Sequence, residues 1–181
     1  MKTTHLTRGA LLTALTIIFL YLAALFPTNT LTFLTLASFM VPIGVMQGSI
    51  KTAFLIYVSS SFLSFFIMPL NIALLYALFF GIYGLVKYFI ERINSLPKEI
   101  FFKLTFFNAV FFILINIMQG LAGFDIFKDL EVVVVKYLPE ASASMTLVFV
   151  WFLAQIGFMI LDYALTLLIA YYNDYFSKIK I

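Results

Sequence analysis

The sequence predicts an all-α, polytopic membrane protein: a six-transmembrane-helix bundle with both termini cytoplasmic. Three observations predict it. Hydrophobic residues make up 64% of the 181 residues and charged residues only 10%, with a mean hydropathy of +1.12. A water-soluble domain carries about 25% charged residues, so this chain lacks the polar side chains to cover itself in water. The apolar residues also fall into runs of spanning length, about 17–25 residues, broken at Pro, Gly and charge. Finally, lysine and arginine collect at one set of ends of those runs.

The first span runs over 9–26 and stops at Pro27-Thr28-Asn29-Thr30. A basic patch before an apolar run is also the pattern of a signal peptide. No A-x-A-like cleavage site follows and the run continues to Phe26, so a retained span is expected. The second, 31–48, contains Pro42, whose missing N–H predicts a kink. Only Gln47-Gly48-Ser49 and Lys51 separate it from the third, 50–68, which implies a tight turn at the membrane surface; Pro69 ends the third. The fourth, 70–89, ends in Glu91-Arg92 and is followed by a turn at Asn94-Ser95-Leu96-Pro97. The fifth covers 100–121 and the sixth 145–172, joined by a loop over 122–144. One domain, 1–181, accounts for the chain, with no sequence repeat and no soluble appendage.

Six spans put both ends on one side. That side holds Lys2, Arg8, Lys51, Lys87, Arg92, Lys98, Lys103, Lys178 and Lys180, whereas the other holds Lys128 and Lys136. The excess of lysine and arginine marks the cytoplasmic face. The formal charge of +3 is therefore a matter of topology and gives no reason to expect nucleic acid. The outer connections are Pro27–Thr30, the turn at Pro69 and the loop 122–144. That loop sets Asp125, Asp129, Glu131 and Glu140 against two lysines. Its stretch FDIFKDLEVVVVKYLP mixes apolar and charged residues below spanning length; it lies at the interface, folds back over the outer mouth, or is a solvated connector.

Several chemistries are excluded by what is missing. There is no cysteine, and His5 is the sole histidine, which leaves no thiolate or histidine-based metal site. Asp162 is the one carboxylate deep in a span, and Ser59-Ser60-Ser61 has no base in register. No P-loop occurs, and no filter-like repeat or acidic ring suggests a channel. The chain is expected to be no enzyme and to carry no cofactor; binding is the remaining output.

Polar side chains at membrane depth are costly and therefore informative. Trp151, Gln155, Asp162 and Thr166 fall on or near one stripe of the sixth span. Asn108, Phe112, Asn116 and Gln119 do so on the fifth, and Tyr76, Phe80, Tyr83 and Lys87 on the fourth, which opens with Asn71. By depth, Asn71, Tyr76, Asn116, Gln119, Trp151 and Gln155 form an outer group of amides and aromatics without charge. Either they line a pocket for a flat, neutral or weakly charged molecule, or they cross-link helices. The inner group is Asp162 with a cation. Sixteen rises from Thr146 to Asp162, and seventeen from Leu70 to Lys87, place both about 24–26 Å from the outer side. Asp162 is expected to pair with Lys87, or with Lys51 or Arg8 in its place. The alternative is a coupling carboxylate in a small secondary transporter.

Ala10 and Ala14 stack one turn apart at the cytoplasmic end of the first span, just after Arg8. The pairs Gly44/Gly48 and Ser60/Ser64 and the run Ala73/Ala77/Gly81 share the four-residue spacing, a general device for close helix contact. With this A-x-x-x-A, the six spans and the short first outer loop holding Pro27, the chain resembles the substrate-binding S components of energy-coupling factor (ECF) vitamin transporters. The resemblance covers nearly the whole chain. It implies that Ala10 and Ala14 dock a transmembrane coupling subunit driven by two ATPase subunits. It also implies that an outer pocket, closed by Pro27–Thr30 and the Pro69 turn, captures a water-soluble vitamin or related micronutrient. The rival expectation is a structural membrane subunit of the cell-shape scaffold type.

Overall fold

The structure, a computed structural model, describes residues 3–122 and 143–179. In chain order it contains α1 (Thr3–Leu25), a 3-10 turn (Pro27–Asn29), α2 (Thr30–Gln47), α3 (Ile50–Ile67) and α4 (Leu70–Leu75). A π turn (Tyr76–Phe80), α5 (Gly81–Glu91), α6 (Leu96–Ala122) and α7 (Ala143–Ile179) follow. The segments α4, π turn and α5 run on as one rod, Leu70–Glu91. Among the described residues there is no strand, and six helices are long and apolar enough to cross a membrane. The chain is an all-α, multi-pass membrane protein. Most of the outer loop 122–144 lies outside the described residues.

Helix ends lie beyond the predicted spans. α1 begins at Thr3, α6 at Leu96 and α7 continues to Ile179. Hydropathy marks where a helix is in hydrocarbon, and a helix continues into water wherever its backbone bonds still close. α6 can begin so early because Pro97 fits a first turn, where the N–H has no helical partner, and Glu99 faces the positive end of the helix dipole.

The turn between α2 and α3 is closed by local bonds. The N–H of Gly48 donates to the Gly44 carbonyl at 3.2 Å, and Ser49 Oγ accepts from the Thr52 N–H at 3.4 Å as the α3 N-cap. Arg8 of α1 donates to the Gln47 carbonyl at 3.1 Å, one of the carbonyls left open at the end of α2.

Lipid gives helices no hydrophobic reason to associate, so close backbone approach must hold them. Gly44 provides it between α2 and α3: a Cβ there would sit 3.2 Å from Ala53 Cα. Gly84 provides it between α5 and α2. Helix α2 passes through Pro42 without interruption, and the proline leaves the Ser38 carbonyl without its helical donor. Gly84 lies against that spot, where a Cβ would be 2.8 Å from Pro42 Cδ and 3.3 Å from Ser38 O. Leu34, Val41, Ile56, Tyr76 and Tyr83 fill the fully buried centre.

The rod widens at Tyr76–Phe80, where the Gly81 N–H reaches back to the Tyr76 carbonyl. Tyr57 of α3 donates to the Ala77 carbonyl within that wide turn at 3.0 Å. From within it Phe79, and one turn below it Tyr83, meet Phe107 of α6 and Phe158 of α7. The closest rings, Phe107 and Phe158, stack with centroids 4.7 Å apart.

Candidate functional site

Four charged side chains converge where α5, α6 and α7 meet. Lys87 and Glu91 stand one turn apart on α5, Lys103 is two turns into α6, and Asp162 lies in the lower half of α7. Lys87 Nζ pairs with Asp162 Oδ1 and lies 2.6 Å from Glu91 Oε1 and 2.7 Å from Thr166 Oγ1. Asp162 Oδ1 also accepts from the Tyr83 hydroxyl at 2.6 Å, and Oδ2 accepts from Lys103 Nζ at 2.8 Å. Lys103 in turn reaches Glu91 Oε1 at 3.1 Å. Two cations and two anions make the cluster neutral. Its members Lys87, Lys103 and Asp162 are buried, and Glu91 is the most exposed. A buried ion whose partners complete its hydrogen bonds is tolerated; one stripped of a partner costs about 3–5 kcal/mol.

Of the cations weighed for Asp162, the structure therefore brings Lys87 to it. Arg8 is engaged at the end of α2 and Lys51 is exposed. The structure adds Lys103 and Glu91, which the sequence did not point to, and brings in Tyr83 from the same predicted stripe as Lys87. Lys103 falls three residues into the fifth predicted span and Glu91 just past the fourth, so both read as surface charges of the cytoplasmic face. The usable signal was spacing: Tyr83, Lys87 and Glu91 are four apart on one helical face.

The six outer residues do not gather into one pocket. Tyr76 is fully buried and shares a 2.7 Å hydrogen bond with Ser60 of α3. The π turn explains the correction: a wide turn rotates less per residue, so Tyr76 falls out of phase with Tyr83 and Lys87 beyond it. Asn71 is exposed at the start of α4, and Asn116 is exposed with its amide donating to the Phe112 carbonyl of its own helix at 2.7 Å. The Gln119 side chain is outside the described residues. Trp151 and Gln155 do meet, on an amide that was on the predicted stripe but outside the predicted site. Asn108 Oδ1 accepts from Trp151 Nε1 at 2.8 Å and from Gln155 Nε2 at 2.7 Å. These three line a groove of about 620 Å³ between α6 and α7.

The small-residue pairs separate into two kinds. Gly44, Ser60 and Ser64 are buried, as are Ala73, Ala77 and Gly81. Ala10 and Ala14 are exposed instead, and with Gly9 and Thr13 they form the α1 wall of a second groove, about 380 Å³, against α3. Among the described residues, no three of His, Cys, Asp and Glu are grouped to hold a metal.

No family model, curated protein or solved structure matches this chain. The reading of its function thus rests on the chain itself.

Proposed function

We propose that this chain is the membrane-embedded substrate-binding subunit of an ECF-type, ATP-driven importer. It captures a small vitamin-like molecule and docks a transmembrane coupling subunit through α1, while two ATPase subunits of the same complex hydrolyse ATP. Its termini lie in the cytoplasm of a bacterial cell.

The observation that carries this reading is the uncovered pair Ala10 and Ala14. The other small-residue pairs are used inside the bundle or at its α2–α3 turn; this one is left open on α1, on the wall of the groove against α3. Capture of a small molecule is supported by the Asn108–Trp151–Gln155 hub, a set of amide and indole groups on a groove wall in a span, where polar groups are costly to keep. A coupling role for Asp162 has less support, because both its oxygens are held by internal donors.

The test is co-purification from the native membrane with a polytopic subunit and ATPases. Ala10→Trp and Ala14→Trp are expected to remove both partners while the melting temperature stays within a few degrees of wild type. Retention of the complex in both variants contradicts the docking role.

A further inference from the structure

The groove between α6 and α7 is walled by apolar side chains such as Leu104, Ile156, Met159 and Ile160, and its lining contains no charged residue. Its few polar atoms are nevertheless ordered in one direction. Asn108 Nδ2 donates to the Leu104 carbonyl at 2.8 Å, which fixes the oxygen end of that amide. The oxygen then accepts from both Trp151 and Gln155, so Gln155 must turn its nitrogen inward. Its own oxygen is what remains: Gln155 Oε1 is buried without a hydrogen-bond partner. An acceptor left so in an apolar setting is costly until a donor arrives. The terminal torsion of a glutamine is soft, and rotation about it turns Oε1 towards the groove in exchange for the Nε2 bond to Asn108, whose oxygen keeps its bond from Trp151.

The groove's position says where that donor comes from. Asn108 lies eight residues after Ile100, where the predicted span begins, about 12 Å into a hydrocarbon layer about 30 Å thick. Trp151, Ile160 and Tyr163 on its wall are exposed on the outside of the bundle, the surface that meets lipid in a multi-pass protein. A charged solute finds no counter-charge here, and an acyl chain has no donor to offer.

We propose that this groove binds a neutral ring compound carrying one hydroxyl or N–H donor and entering from the bilayer. The ring lies against the Trp151 indole and the donor bonds Gln155 Oε1. This rests on the reading that the chain captures a small molecule, and it makes that molecule one that partitions into lipid, in place of the water-soluble one that the resemblance implies.

Trp151 is the only tryptophan in the chain, so its fluorescence reports on this groove alone. The test uses the full chain in phosphatidylcholine nanodiscs with 4-bromophenol and 4-bromoanisole, which share a ring and a quenching bromine but differ in the donor. After correction for partition into lipid, 4-bromophenol is expected to quench saturably at about tenfold lower concentration, equivalent to about 1.4 kcal/mol. In Gln155→Met, of similar size, the two compounds are expected to agree within about twofold. Equal quenching of wild type by both compounds, or a difference that survives Gln155→Met, overturns the proposal. If Gln155→Met does not fold, the wild-type comparison decides alone. Docking is measured without these compounds, so its failure and the failure of the groove are separate results.

Discussion

The rod Leu70–Glu91 and the pair α6 and α7 cross the same bilayer on different principles. In the most apolar 18 residues of each span, 67% are buried in the rod but 17% in Leu96–Ile117 and in Val148–Tyr175. The rod packs against α1, α2, α3 and α6 and uses Gly84 where its backbone comes closest to α2. Helix α7 instead reaches the rod with long or aromatic side chains, as in Lys87 to Asp162 and Tyr83 to Phe158. Close packing secures a helix that is surrounded. A helix at the edge, facing lipid, has less of that packing, on the rod for α6 and on α2 for α7, and draws more on polar bonds and rings, since lipid does not push it inward.

Breaking the charge cluster should therefore have the largest effect. Asp162→Ala leaves Glu91 as the one carboxylate for both Lys87 and Lys103 and is expected to cost about 3–5 kcal/mol in thermal or denaturant unfolding. Limited proteolysis should then cut first in α6 or α7. Lys87→Met should be more damaging than Lys103→Met, because Lys87 also holds Thr166 and is the more deeply buried. Unchanged unfolding in Asp162→Ala contradicts the claim that charges hold the edge helices. The milder Asp162→Asn is expected to lose stability and keep ligand affinity, measured by Trp151 fluorescence; an intact fold with lost binding instead makes Asp162 a working residue.

Two glycines sharpen the contrast at a lower magnitude. Gly84→Ala drives a methyl group against the rigid Pro42 ring and is expected to cost about 1–3 kcal/mol. Gly157→Ala on α7 meets nothing within 4 Å, so the melting temperature should hold or rise slightly. Equal effects at the two sites would erase the distinction between core and edge. Tyr76→Phe removes the bond to Ser60 and should cost about 0.6 kcal/mol and at most about 1.7, the average and the upper end for hydrogen bonds between membrane helices. Asn108→Leu removes two bonds between α6 and α7, from Trp151 Nε1 and Gln155 Nε2, and is expected to cost about as much again per bond, with a shift of the Trp151 emission maximum.

Hydropathy made the six spans legible, because the exclusion of charge from hydrocarbon is a strong and local rule. The tight link between α2 and α3 was legible for the same reason, with Gly48 and Ser49 breaking one apolar run. Asp162 was legible as a residue in need of a cation, since a lone charge at that depth is untenable. What remained hidden depends on three dimensions. Lys103 and Glu91 stand near predicted span ends, where charge is ordinary, and only the meeting of α5, α6 and α7 gives them inward partners. The π turn at Tyr76–Phe80 has no hydropathy signal, yet it decides that Tyr76 serves the core. Asn108 was seen as one of four stripe residues, and only the neighbouring helix made it the hub. The exposure of Ala10 and Ala14 against the burial of Ala73 and Ala77 could not be read from spacing that they share.

The central claim is that α1 presents a docking face to a coupling subunit. The most direct measurement is quantitative co-purification of the double variant Ala10→Trp/Ala14→Trp beside wild type, with unfolding of both followed in parallel. The account predicts loss of the polytopic partner and its ATPases with unfolding unchanged. Wild-type recovery of those partners by the double variant contradicts it.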